Sequence, residues 1–189
     1  MRQSFMKILG LLGLAATAAS PAEAIDLSKL DPENLLYMEL KTGRVVIMMR
    51  PDKAPNHVAR IKELTRQGFY DGLYFHRVID GFMAQTGDPL GNGTGGSGKN
   101  LDAEFNRSRH MRGAVSMARG GHDINSADSQ FFIMLAPNFG LDGQYTVWGR
   151  VVDGMQHVDE IRKGDARQDG TVANPDKIIR MRVAADVAQ

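Results

Sequence analysis

The stretch FHRVIDGFMAQTGDPLGNGTGGSGKN, Phe75 to Asn100, decides how the chain is read. Its second half places Gly93, Gly98 and Lys99 at the spacing G-x-x-x-x-G-K of a phosphate-cradling loop. Such a loop works by leaving an apolar strand and entering a helix, whose first amide groups then face the anion. Here the glycines follow Gly87-Asp88-Pro89-Leu90, a turn, and precede LDAEFNRSRH, which carries no helical apolar stripe. The eighth position is Asn100, without the hydroxyl that would bind magnesium. The nucleotide reading fails on context. Glycine tolerates positive φ and the close approach of another backbone, so the loop reads instead as one wall of a groove for an extended peptide.

The first half reads as strand, turn, strand. Arg77, Met83 and Gln85 share parity, with Gly81 interrupting the alternation and Phe82 adding a second large apolar side chain. By itself this is compatible with an ordinary barrel strand bearing a surface arginine. Upstream, LLYMEL (Leu35 to Leu40), Thr42-Gly43 and RVVIMM (Arg44 to Met49) form a hairpin pattern. APNHVARIKELTRQG then repeats Val58, Ile61 and Leu64 at helical spacing, with Gly68 as its stop. Arg60, Lys62 and Arg66 on that helix are expected to form a solvated face. Downstream, GAVSMA (Gly113 to Ala118), SQFFIML (Ser129 to Leu135), YTVWGRV (Tyr145 to Val151) and Ile178 to Val183 are strand-like. MQHVDEI, with Met155, Val158 and Ile161, predicts one short helix. Many short strands and two amphipathic helices predict one mainly β domain, a closed barrel covered by helices.

Residues 1–24 are set apart from that domain. Arg2 and Lys7 precede an apolar run, Ile8 to Ala19, and Ala22-Glu23-Ala24 matches a cleavage site. This predicts a secretory signal cut after Ala24, a polar tail over Ile25 to Asn34, and a domain over 35–189. Setting the signal aside brings the chain from 23 basic and 22 acidic residues to 21 of each. A neutral domain is a poor fit to nucleic acid, which calls for a basic face. No later run is long enough to span a membrane, so no membrane contact is expected after cleavage. The chain has no cysteine, which excludes disulfides, thiol chemistry and Cys-based metal sites. Export without cysteine points to a bacterial periplasm, where the N-x-T/S triplets at Asn92 and Asn106 are inert.

Conventional catalytic patterns are missing. The histidines 57, 76, 110, 122 and 157 are scattered, with no H-E-x-x-H and no nucleophile elbow. What the chain does carry is an ordered set of segments: FHRVIDGFMAQTGD, GTGGSG, SMARGG, SQFFIML and LDGQYTVWGRVVDGM. In order and spacing this set resembles the cyclophilin-type peptidyl-prolyl cis-trans isomerases, from about Leu36 to Ile161 and beyond.

The resemblance implies an eight-stranded antiparallel barrel closed by two helices, and an enzyme that speeds rotation about X–Pro bonds without a cofactor or metal. By motif it implies that Arg77, Phe82 and Gln85 are catalytic. It implies that Met83, Gly93, Thr94, Ala118, Arg119, Gly120, Phe132, Leu141 and Tyr145 bind a proline-containing polypeptide. Four departures stand out. Arg119 lies where the family often has Asn, and Tyr145 where many members carry His. Gly140 lies where relatives carry Trp or Phe, a change that bears on cyclosporin binding more than on isomerisation. The segment Gly120 to Gln130 is longer than in the best-known eukaryotic relatives. The expected molecule is a periplasmic, monomeric isomerase for exported proteins. The competing class is a non-catalytic peptide-binding or chaperone module on the same barrel.

Overall fold

The computed structural model describes residues 25–187, so the expected signal segment 1–24 lies outside it. Eight strands form one antiparallel sheet: β1 (Leu35–Leu40), β2 (Gly43–Met49), β3 (Arg77–Ile79), β4 (Met83–Thr86), β5 (Ala114–Met117), β6 (Phe131–Met134), β7 (Val147–Asp153) and β8 (Arg180–Val183). Their order across the sheet is β3-β4-β6-β5-β7-β2-β1-β8. Two helices, α1 (Pro55–Arg66) and α2 (Met155–Asp159), accompany them. No helix among the described residues is long and apolar enough to cross a membrane.

The hairpin read from Thr42-Gly43 is present, with Leu40 opposite Gly43 and Leu35 opposite Met48. The period of two then sorts side chains to opposite faces. On β6, Phe131 and Ile133 enter the main core, whereas Phe132 and Met134 join a second apolar cluster on the other face. On β5 the same alternation sends Val115 and Met117 inward and Ala114 to the second cluster. Trp148 and Tyr70 pack edge-on against Phe131, with ring centroids 5.5 and 5.6 Å away. Helix α1 adds Val58, Ile61 and Leu64 to this core. Each such fully buried side chain is worth about 1.5–3 kcal/mol relative to exposure.

The sheet curls but does not close as a ladder. β3 and β8 stand at its two edges, and no strand pairing joins them among the described residues. The reason lies at the edge of β3, whose main chain is engaged elsewhere: Val78 N donates to Gly170 O, and Gly164 N donates to Val78 O, both at 2.8 Å. Only isolated bonds cross the seam, among them the Tyr74–Lys177 bridge and Phe75 N to Asp176 O at 2.9 Å. The closed barrel expected from the sequence is therefore an open, curled eight-stranded sheet.

Two further expectations meet a different arrangement. Arg60 is not on a solvated face: it is buried, donating to Glu63 Oε2 and Ser97 Oγ at 2.7 Å each. A helix face with several basic residues is normally solvated, but here the glycine-rich loop lies over it and supplies an acceptor. The polar segment Ile25 to Asn34 holds two 3-10 turns, Leu27–Lys29 and Pro32–Asn34, N-capped by Asp26 and Asp31. Leu27 and Leu30 rest against Leu35, Val46 and Ala184.

Candidate active site

The second apolar cluster is the floor of a groove on the outer face of β3, β4, β6 and β5. Met83 and Phe132 are nearly fully buried there, with Phe82, Leu141 and Tyr145 packed around them. They enclose a hollow of about 180 Å³, to which Arg77, Gln85, Ala118 and Arg119 also contribute. An adjoining hollow of about 350 Å³ is walled by Gly93, Thr94 and Gly120 on the glycine-rich side. Gln85, Ala118 and Arg119 border both hollows, so the two form one continuous groove. Every site residue singled out by the sequence lies on it.

Hydrogen bonds order the polar side of the groove into a chain. Asp169 Oδ1 and Oδ2 accept from Arg77 Nη2 and Nε at 2.8 and 3.1 Å. Arg77 Nη1 turns to Gln85 Oε1 at 3.3 Å and to Met83 Sδ at 3.8 Å. Gln85 Nε2 donates to Gln130 Oε1 at 2.9 Å, and Gln130 Nε2 donates to the carbonyls of Gly93 and Gly95 at 3.0 and 2.8 Å. Gln130 and Asp169 were missed in the sequence. Gln130 shares the parity of Phe132 in SQFF, a signal that could have marked it. Asp169 sits in a loop far along the chain, and nothing local announces it.

The glycine-rich loop does cradle an anion, and the anion is its own. Asp88 Oδ2 accepts from Asn92 N at 2.9 Å and Gly93 N at 2.5 Å, while Oδ1 accepts from Leu90 N at 2.8 Å. Burial alone would push this carboxyl up, but the N–H donors of Leu90, Gly93, Asn92 and Gly95 outweigh it and hold it below the usual range. Asp128 grips the far end, accepting from Ser97 Oγ, and from Gly98 N and Lys99 N at 2.8 and 3.2 Å. A Cβ at Gly95 would strike the Asp88 carboxylate, and one at Gly96 would strike that of Asp128. Glycine is needed there for close approach to a carboxylate rather than to a phosphate. Lys99 itself is exposed.

Behind the apolar hollow lies a relay whose His110 and Ser116 are buried and whose Asp142 is partly exposed. His110 Nδ1 meets Asp142 Oδ1 at 2.9 Å, and Nε2 meets Ser116 Oγ at 3.0 Å. Its composition is that of a hydrolytic triad, yet Ser116 is fully buried and its hydroxyl donates to Thr146 O at 2.9 Å. Its geometry serves packing: the His110 ring stacks on Phe132 at 6.1 Å, and Tyr145 meets Phe132 edge-on at 5.7 Å. Arg119 folds back over Tyr145, 4.8 Å above its ring, and donates to Gln144 O at 3.0 Å. Phe139 lies outside the groove, half exposed with Arg109 over its ring, so Leu141 alone of Phe139–Leu141 reaches the hollow. No cluster of three or more His, Cys, Asp or Glu with metal-holding geometry occurs among the described residues.

Residues 35–183 match the family model described as cyclophilin type peptidyl-prolyl cis-trans isomerase/CLD. A Brucella suis protein named a probable peptidyl-prolyl cis-trans isomerase is 50% identical, over 95% of this chain and 97% of its own length. Peptidyl-prolyl cis-trans isomerase B of Bacillus subtilis is 41% identical over 70% of this chain and 94% of its own. A crystal structure of a cyclophilin from Hirschia baltica superposes with a TM-score of 0.75 at 30% identity, covering 84% of this chain and 77% of its own. A Cryptosporidium parvum cyclophilin-type isomerase, crystallised in the presence of the dipeptide Ala-Pro, superposes at 0.72 with 25% identity, covering 79% and 98% of the two chains.

Proposed function

The chain belongs to the cyclophilin-type peptidyl-prolyl cis-trans isomerases, and from that premise we propose that its groove turns X–Pro bonds of exported polypeptides, with Arg77 as the catalytic donor. The reaction breaks amide resonance against a barrier of about 18–20 kcal/mol, and no covalent bond is made or cleaved. A site needs only to hold the proline, hold the chain on one side of it, and favour the twisted amide. Phe82, Met83, Phe132 and Leu141 supply the dry pocket for the ring. Ala118, Arg119 and Gly120, facing Gly93 and Thr94 across the second hollow, take the extended backbone. As the amide twists, its nitrogen becomes pyramidal and gains a lone pair. A donor aimed at that nitrogen binds the transition state better than either planar isomer.

The observation that carries this reading is the direction of Arg77 Nη1, which meets Gln85 and Met83 at the edge of the apolar pocket. Removing a donor of this kind costs on the order of 100- to 1,000-fold in rate. Arg77→Ala should lose activity on that scale in a protease-coupled assay with an X–Pro peptide. A wild-type protein no faster than the variant would sink the reading and leave a non-catalytic peptide-binding module. The groove is complete within one chain, so the proposed reaction needs no second copy.

Export is part of the proposal and is carried by the charged start, apolar run and Ala22-Glu23-Ala24. The first described turn is capped by Asp26, so a cut after Ala24 leaves that cap intact. Cell fractionation with N-terminal sequencing should find Ile25 leading a periplasmic protein. A cytoplasmic protein retaining residues 1–24 would overturn this.

A further inference from the structure

We propose that Asp169 is a positioning residue for isomerisation, its carboxylate locking the Arg77 guanidinium so that Nη1 faces the proline pocket. The inference rests on the reading of Arg77 as the catalytic donor. An unrestrained arginine samples many rotamers, and few of them aim a donor at the twisting amide. Asp169 takes the Nε and Nη2 edge of the guanidinium with its two carboxylate oxygens, and its own carbonyl accepts from Nε at 3.0 Å. With that edge occupied, Nη1 is the nitrogen directed to Gln85 and Met83. The hydrogen bond from Arg77 in turn holds the Asp169 carboxyl below the usual range, so the carboxylate stays charged across ordinary pH.

The loop bearing Asp169 is built to reach this spot. It bonds to the main chain on both sides of Arg77: Val172 N donates to His76 O at 3.1 Å and Val78 N donates to Gly170 O at 2.8 Å. Gly170 has φ 76°, and a Cβ there would strike the Ile79 side chain. Asp169 itself has φ 53°, a left-handed conformation that Asp, Asn and Gly adopt far more readily than other residues. The loop occupies the edge of β3 that a closed barrel would have given to β8, so the open seam and the placement of Asp169 share one cause.

Two substitutions keep the left-handed turn while changing the side chain: Asp169→Asn removes the charge, and Asp169→Gly removes the charge and the side-chain acceptors. Because the pair is exposed, the effect should be moderate, about fivefold in kcat for Asp169→Gly. Asp169→Asn should fall between Asp169→Gly and the wild type. KM and the melting temperature should stay near wild-type values. In an arginine-selective NMR spectrum, the Arg77 Nη2 protons should be slow to exchange in the wild type and fast in Asp169→Gly, because the main-chain carbonyl that remains meets only Nε. An unchanged or raised kcat in Asp169→Gly, or a loss confined to KM, would overturn the inference. If Arg77→Ala is inactive while Asp169→Gly matches wild type, only the role of Asp169 falls. If Arg77→Ala is fully active, the reading beneath it falls.

Discussion

Asp88 is a carboxylate with 1% of its surface exposed, and it is paired with no cation among the described residues. Its charge is met by main-chain amides, the same device by which a phosphate loop holds an anion. Because its pKa is depressed in the fold, Asp88 stabilises the protein above its unfolded value, and that contribution disappears as pH falls through the folded value. Asp88→Asn would point an amide donor at amides and leave one or more of them unpaired, a cost of about 1–3 kcal/mol. Thermal melts at neutral pH should show the loss. The gap to wild type should narrow as pH falls below about 4, where the unfolded chain's carboxyl takes up a proton that the folded carboxyl still resists. A constant gap from neutral to acid pH would contradict this account. In the sequence Gly87-Asp88-Pro89 signalled only a turn, because a side chain's acceptance of amides up to seven residues ahead depends on how the loop folds back.

Helix α1 shows the same limit one level up. Its stripe of Val58, Ile61 and Leu64 and its stop near Gly68 could be read directly, and the helix runs Pro55–Arg66. The stretch APNHVARIKELTRQG also begins at the observed N-cap, Ala54, with Pro55 opening the helix, but what caps it could not be read, because Ala54 offers no side-chain acceptor. The cap comes from Glu104, whose carboxylate accepts from Asn56 N and His57 N at 3.0 Å and meets His57 Nδ1 at 2.6 Å. Burial would raise the Glu104 carboxyl, but these bonds from His57 and Asn56 prevail and lower it. Glu104→Ala should therefore destabilise the domain by about 1–2 kcal/mol, the usual worth of an N-cap with its helix-dipole term. Chemical denaturation would read this as a lower midpoint with an unchanged slope. A midpoint equal to wild type would mean that the helix holds its start without the carboxylate. The strands divide in the same way. The hairpin β1–β2 follows from Thr42-Gly43 and local alternation, whereas β3 is only Arg77–Ile79 because its neighbours bond to the loop around Gly170 rather than extending a ladder.

At the scale of the molecule, a sheet that buries both faces does two tasks at once. One face of β6 and β5 closes the core around Phe131 and Trp148, and the other presents Phe132 and Ala114 to the groove. Legible along the chain alone were the mainly β class, the two helices, the failure of the phosphate-loop pattern on its context and, through the ordered motifs, the family and the residues lining the groove. Those features are carried by local periodicity, by turn chemistry and by side chains whose types and spacing persist along the chain. Three-dimensional packing set the rest: the sheet stays open at β3 and β8, Arg60 is buried, and a Ser116–His110–Asp142 relay backs Phe132. It alone brought Asp169 to Arg77 and linked Gln85 through Gln130 to the glycine loop. These depend on pairings between residues tens of positions apart, and such pairings are fixed by where loops dock, which no local pattern encodes. The stretch from Phe75 to Asn100 holds both kinds of information: its glycines announced close backbone approach, and the fold determined that what approaches them is Asp88 and Asp128.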